Sequence, residues 1–166
     1  MDERLYQLSQ DLGAQLQQRK WRIATAESCT GGGIAAAITA IAGSSAWFEY
    51  GVVSYANSAK EKLLGVSNES LVNQGAVSET VVTEMVRGVL TLSGADIAVA
   101  VSGIAGPSGG SPEKPVGSVW FAWGAATGEI KAELKRFAGD RAGIQQQATL
   151  WALAGCLSAI KQKTYD

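Results

Sequence analysis

The sequence predicts a single α/β domain over residues 1–166, with three α/β/α layers around a mixed β-sheet. Helical and strand patterns alternate along the chain, an uninterrupted apolar run suits a central strand, and a late pair of strands suits a hairpin. At 166 residues the chain fits one domain with a real core. Apolar residues make up 46% of the chain and charged residues 17%, a composition that argues against disorder.

The first part of the chain alternates helix and strand. Leucines at positions 5, 8, 12 and 16 recur at helical spacing, and Lys20 ends this helix before a short strand at 21–26. A second helix follows from Gly31 to near Gly43. We expect the next strand at 51–55 and a helical turn from Asn57 to Leu64. The segment between the first strand and the second helix is therefore a strand-to-helix junction.

The middle of the chain predicts a half-buried helix and then a buried strand. Ser78 is suited to cap the helix at its N-terminus. The apolar residues of that helix recur at the spacing of a buried face: Val81, Val82, Met85, Val86, Val89 and Leu90. The apolar run at 97–101 has the composition of a central strand covered on both faces.

A long loop separates this strand from the last elements. The segment from Gly103 to Gly117, ends included, holds five glycines and all three prolines of the chain, so neither helix nor strand continues through it. Loops of this length are usually functional or mobile. A hairpin at 119–123 and 129–137 and a helix from about Asp140 complete the chain. We expect the two hairpin tryptophans, at positions 120 and 123, to pack on one face of the sheet.

Composition excludes several classes of function. The net charge of -1 gives no basic surface for nucleic acid, and no apolar stretch is long enough to span a membrane. The N-terminus carries no targeting signal, so we expect a cytoplasmic protein. Whether it forms a homodimer or a higher homo-oligomer is left open.

The absence of histidine restricts the chemistry further. It excludes a Ser-His-Asp triad, a Cys-His pair and a His-bound zinc site within the chain. The two cysteines, Cys29 and Cys156, lie too far apart to form a metal motif, so we expect no metal and no cofactor. A base that works near neutral pH must be a carboxylate, a tyrosine, a cysteine, the α-amino group or a lysine of lowered pKa.

Three places carry groups suited to catalysis or binding. The junction Ser28-Cys29-Thr30-Gly31-Gly32 places two nucleophiles at a helix start, where amide groups favour an oxyanion, although serine and threonine are also ordinary helix caps. Tyr55 and Lys60 lie at a strand end, where a lysine is usually a solvated charge. Arg141 precedes a helix, and it suits either a phosphate or a salt-bridged cap.

Taken together, six segments resemble the CinA C-terminal domain family, in order and over nearly the whole chain. The segments are 25–32, 43–48, 55–60, 75–78, 102–107 and 139–141. The resemblance implies an amidohydrolase that converts nicotinamide mononucleotide and water to nicotinate mononucleotide and ammonia. It also implies that Ser28 is the nucleophile and Lys60 its base, with Tyr55 nearby as a third catalytic residue. The implied substrate-binding residues are Thr30, Gly31, Gly32, Ser102, Gly103, Gly106 and Arg141.

Two other functions remain open from the sequence. In the first, Cys29 is the nucleophile of a cysteine amidase, because a helix start also lowers a thiol pKa. In the second, the domain is a nucleotide-binding or regulatory module without turnover.

Overall fold

A computed structural model of the chain describes residues 1–163. Within that part of the chain, six α-helices and five strands follow one another. The helices are α1 (Glu3–Arg19), α2 (Gly33–Thr39), α3 (Asn57–Leu64), α4 (Asn68–Gln74), α5 (Glu79–Ser93) and α6 (Arg141–Lys163). The strands are β1 (Ile23–Glu27), β2 (Phe48–Val53), β3 (Ile97–Gly103), β4 (Ser118–Ala125) and β5 (Ile130–Arg136).

The five strands form one mixed sheet in the order β2-β1-β3-β4-β5. β1 pairs in parallel with both β2 and β3, whereas β4 is antiparallel to β3 and to β5. The first six residues of β3 are buried, as its apolar sequence predicts for a strand at the centre of a sheet. The predicted hairpin is β4 and β5.

Helices cover both faces of this sheet. On one face α1, α2 and α6 enclose a core that includes Leu12, Ile34 and Leu153. On the other face α3, α4 and α5 enclose a second core that includes Leu64 and Val86. The predicted three-layer α/β/α architecture with a mixed sheet is therefore confirmed.

The helices that follow the neighbouring strands β1 and β2 lie on opposite faces of the sheet. The helix that follows β1 is α2, which packs against α6, whereas the helix that follows β2 is α3, which packs against α5. Because these connections leave the sheet in opposite directions, a crevice opens beyond the carboxyl ends of β1 and β2. Such a crevice is the usual ligand site of an open α/β sheet.

Several details differ from the sequence-based expectations. The strand expected at 51–55 is β2 at Phe48–Val53, and the second helix ends at Thr39 rather than near Gly43. Helix α4 was not predicted, because only two of its seven residues, Leu71 and Val72, are apolar. The tryptophans of β4 lie on opposite faces, because residues three apart in a strand alternate sides. Trp123 stacks on Phe121 with ring centroids 5.6 Å apart, on the α6 side, whereas Trp120 packs on the α5 side.

None of the helices in residues 1–163 has the combination of length and apolar character that a membrane span requires.

Candidate active site

Ser28 directly follows β1 and lies at the crevice between the two layers. Its backbone N–H donates to the carbonyl of Val101 in β3, at 3.1 Å, so the ladder between these strands extends to this residue. The side chain of Ser28 is 7% exposed. The hydroxyl is thus held at the end of a rigid strand, close to the surface.

Lys60 reaches Ser28 from α3, in the opposite layer. Its side chain is buried, at 1% exposure, which is unusual for a lysine. The Nζ atom lies 3.1 Å from Ser28 Oγ, 3.0 Å from the carbonyl oxygen of Ser54 and 3.0 Å from that of Tyr55. A neutral amine has two N–H donors and one lone pair. The two carbonyls therefore hold both donors of the neutral form, and the lone pair is left to accept the Ser28 proton.

Burial also changes the proton affinity of Lys60. Removal of water from around the amine lowers the pKa of Lys60, because burial disfavours the charged form. Among the described residues no carboxylate forms an ion pair with this ammonium. A buried lysine without a counter-ion that touches a serine hydroxyl is arranged to act as a base.

Glu27 organises the segment between Ser28 and α2. Its carboxylate, 1% exposed, accepts hydrogen bonds from the Thr30 hydroxyl at 2.6 Å, from Ile34 N–H at 2.8 Å and from Ala35 N–H at 3.0 Å. Glu27 was not among the site residues predicted from the sequence. The available signal was an acidic residue between an apolar strand and a glycine-rich helix start.

These bonds change which amides are available to an oxyanion. The expected donors at the start of α2 include Ile34 and Ala35, and both already donate to Glu27. In the described part of the chain, the backbone N–H groups of Cys29, Thr30 and Gly32 have no hydrogen-bond acceptor. The loop before the helix, rather than its first turn, therefore presents the unpaired donors.

The tight turn in this loop depends on glycine. Gly31 and Gly32 have φ angles of 60° and 100°, and Gly31 N–H donates to the Ser28 carbonyl at 3.0 Å. Residues with a Cβ rarely adopt these angles. Gly31 and Gly32 thus let the chain turn beside Ser28 before it enters α2.

Cys29 points into the protein interior. Its side chain is 4% exposed and belongs to the apolar core beneath α2 and α6. Burial raises the pKa of the Cys29 thiol to about 12. A thiolate is therefore scarce at neutral pH, and the geometry gives no support to a cysteine nucleophile.

Arg141 connects three segments at the rim of the crevice. Its guanidinium donates to the Gly106 carbonyl at 2.8 Å and to the Tyr55 hydroxyl at 3.0 Å. Arg141 is the first residue of α6, and the Tyr55 side chain is 57% exposed. Tyr55 therefore contacts Lys60 through its backbone carbonyl and Arg141 through its phenol.

The remaining predicted binding residues lie at the same edge of the sheet. Ser102 and Gly103 end β3, and the loop after them is tied at its base by the hydrogen bond from Ile104 N–H to the Ser118 carbonyl, at 2.9 Å. Near its other end, Lys114 Nζ donates to the carbonyl of Gln74 at 2.6 Å. The long loop therefore runs beside the crevice and is joined to the end of α4.

A cavity of about 440 Å³ lies away from this edge. It is lined by residues such as Trp21, Ile97 and Trp151, near the start of β3 and the second half of α6. None of the predicted site residues borders it. We therefore place the candidate active site at the crevice, where the reactive groups meet.

Comparisons with known proteins agree with this architecture. The CinA C-terminal domain family matches residues 5–160. The chain is 54% identical to the nicotinamide-nucleotide amidohydrolase PncC of Enterobacter agglomerans over 156 residues. These residues cover 94% of this chain and 95% of that protein. It is 52% identical over 163 residues to the protein of the same name from Escherichia coli K12, with 98% and 99% of the two chains covered.

Solved structures show the same fold. The competence/damage inducible protein CihA from Agrobacterium tumefaciens is similar with a TM-score of 0.94 and 41% identity, over 97% of this chain and 98% of that chain. The match of family, sequence and fold extends over nearly the whole described chain. The protein belongs to the CinA C-terminal domain family.

Proposed function

We propose that this protein hydrolyses the carboxamide of nicotinamide mononucleotide to nicotinate mononucleotide and ammonia, through a Ser28–Lys60 pair. The observation that carries the proposal is the 3.1 Å distance between Lys60 Nζ and Ser28 Oγ in a buried setting. The substrate follows from relatives that are about half identical to this chain and are named nicotinamide-nucleotide amidohydrolase. The reaction would serve pyridine nucleotide salvage in the cytoplasm, with residues 1–166 as one catalytic domain.

In the first half of the reaction Ser28 becomes acylated. Ser28 Oγ attacks the carboxamide carbon while its proton moves to the neutral amine of Lys60. The carbonyl oxygen becomes an oxyanion, which the unpaired amides of Cys29, Thr30 and Gly32 are suited to stabilise. Lys60 then donates the proton to the amide nitrogen, the C–N bond breaks and ammonia leaves.

The second half restores the enzyme. Water attacks the acyl carbon and gives its proton to Lys60, and the bond between that carbon and Ser28 Oγ breaks. The proton returns to Ser28, and nicotinate mononucleotide is released. Every proton thus passes through one amine, and the scheme needs no metal and no cofactor.

Substrate charge favours this use of a lysine. The pyridinium ring of nicotinamide mononucleotide carries a fixed positive charge beside the carboxamide. A second positive charge on Lys60 is then disfavoured, in the same direction as burial lowers the pKa of this amine. The pyridinium also makes the carbonyl more electrophilic, so the substrate assists its own hydrolysis.

The crevice rim would hold the rest of the nucleotide. Arg141 is the expected ligand of the 5'-phosphate, because a guanidinium makes paired hydrogen bonds to phosphate oxygens. Its present partners, Gly106 and Tyr55, fix its position at the entrance. The loop from Gly103 to Gly117 is expected to close over the nucleotide.

The direct test is ammonia release from nicotinamide mononucleotide by purified protein, by Ser28→Ala and by the control Ser45→Ala at an exposed serine. We expect wild type and Ser45→Ala to release ammonia, and Ser28→Ala to lose at least about 1,000-fold in rate. A wild-type protein that binds the nucleotide without turnover would indicate a regulatory module. An active Ser28→Ala would exclude the serine mechanism.

A further inference from the structure

We propose that Glu27 is a positioning residue for catalysis, whose carboxylate holds the Ser28 loop in its reactive conformation. This inference rests on the proposed function. Glu27 precedes Ser28 in the chain and ends β1. It belongs to no ion pair within the described residues, and its side chain is 1% exposed. A buried acidic group without a cation needs hydrogen-bond donors around it.

The partners of Glu27 are all donors. One oxygen accepts from the Thr30 hydroxyl and from Ile34 N–H, and the other accepts from Ala35 N–H. The three donors are all satisfied only if both terminal atoms of the side chain accept hydrogen bonds. A carboxylate meets this requirement and an amide does not. A glutamine of the same shape directs an NH₂ group at one of these donors. The site therefore specifies a carboxylate rather than any polar side chain of this length.

The same residue connects both halves of the serine–lysine pair. Its side chain fixes the loop that follows Ser28, while its backbone carbonyl accepts from Ser54 N–H at 2.9 Å. The carbonyl of Ser54 in turn accepts from Lys60 Nζ. A shift at Glu27 thus displaces the hydroxyl relative to its base, and displacements of about 1 Å cost large factors in rate.

Glu27 also decides which amides stay unpaired. It occupies the N–H groups of Ile34 and Ala35, so the first turn of α2 is directed inward to the carboxylate. The amides of Cys29, Thr30 and Gly32 are left for the substrate. Without the carboxylate, the N–H groups of Ile34 and Ala35 lose their acceptor, and the loop after Ser28 loses the hydrogen bond from Thr30 that fixes it. The expected defect is in the chemical step rather than in binding.

The test compares Glu27→Gln with Glu84→Gln in the full-length protein. Glu84 is a suitable control because its carboxylate, although only partly buried, also accepts a backbone hydrogen bond, from Ser67, away from the crevice. We measure kcat and KM for nicotinamide mononucleotide from pH 6 to 10, and thermal unfolding. For Glu27→Gln we expect kcat to fall about 10- to 100-fold with KM within threefold. The midpoint of the pH profile should stay at the wild-type value, because Lys60 still titrates. Glu84→Gln should keep the wild-type kcat.

The outcomes separate the inference from the proposed function. A Glu27→Gln variant with a kcat within fivefold of wild type, or with its loss only in KM, overturns the role of Glu27 alone. A wild-type protein without activity overturns the proposed function instead.

Thr30 provides the second test if Glu27→Gln does not fold. Thr30→Ser keeps the hydroxyl that donates to Glu27, whereas Thr30→Val removes it at nearly constant volume. We expect Thr30→Val to lower kcat at least fivefold and Thr30→Ser to restore it. Equal kcat in wild type and Thr30→Val would overturn the inference.

Discussion

The guanidinium of Arg141 donates a hydrogen bond of 3.0 Å to the hydroxyl of Tyr55, across the mouth of the crevice. The bond joins the start of α6 to the segment that precedes α3. It holds a cation at the entrance before substrate arrives, which reduces the ordering that binding requires.

Arg141→Ala is therefore expected to weaken nucleotide binding. Loss of a charge-assisted contact to the phosphate should raise KM about 10- to 100-fold and leave kcat within threefold. Tyr55→Phe, which removes only the partner of Arg141, should raise KM less. Steady-state kinetics check both, with Arg87→Ala at an exposed arginine as control. If Arg141→Ala binds the mononucleotide as well as wild type and still discriminates against the riboside, the phosphate site lies elsewhere.

Cys29→Ala is expected to keep substantial activity. The thiol is buried in the core and its pKa is raised to about 12, so it is neither accessible nor ionised at neutral pH. Iodoacetamide should inactivate the wild type slowly or not at all, as residual ammonia release after incubation would show. Rapid inactivation that Cys29→Ala abolishes would make this protein a cysteine amidase.

Chelation is expected to leave activity unchanged. Among residues 1–163 no group of three or more cysteine and acidic side chains is placed to hold a metal ion. The serine–lysine scheme also assigns no step to a metal. The measurement is ammonia release after dialysis against EDTA. Activity that is lost and then restored by one divalent metal would contradict the scheme.

The stability of the fold should depend on pH through Lys60. Below its lowered pKa, Lys60 is protonated in both states and the full cost of burying the ammonium is present. Between that pKa and 10.5, the unfolded chain holds more protons than the folded one, so stability rises with pH. Lys60→Met lacks this contribution. The Tm of wild type minus that of Lys60→Met should therefore increase by at least about 2 °C from pH 7 to pH 10. A constant or decreasing difference would show that the buried amine keeps an ordinary pKa.

Much of the fold follows from local pattern. The apolar run of β3 predicts a central strand, and the spacing of Val82, Met85 and Val89 predicts the buried face of α5. Helix α4 could not be predicted from apolar spacing because its sequence is mostly polar. Its Ser67 cap, which accepts from Ser70 N–H, was the available signal. The strand alternation that separates Trp120 from Trp123 was also available in the sequence, and our expectation there was wrong.

Less of the candidate active site than of the fold could be predicted from the sequence. Ser28 and Lys60 are 32 residues apart, and their contact depends on β1 and β2 being neighbours with helices on opposite faces. No spacing rule gives that result, and only the resemblance to a family brought the two residues together. The bonds of Glu27 to Ile34 and Ala35 depend on the path of the glycine turn. Composition and periodicity carry no information on such a path.

The most direct test of the account is the effect of Lys60→Ala on turnover and on binding, measured together. Lys62→Ala, an exposed lysine of the same helix, is the matched control. Because Lys60 handles the protons of Ser28, of the leaving nitrogen and of water, its loss should lower kcat at least about 100-fold. The Kd for nicotinamide mononucleotide, measured by calorimetry, should stay within threefold of wild type. A Lys60→Ala variant that retains more than about a tenth of the wild-type kcat would contradict the central claim that Lys60 activates Ser28.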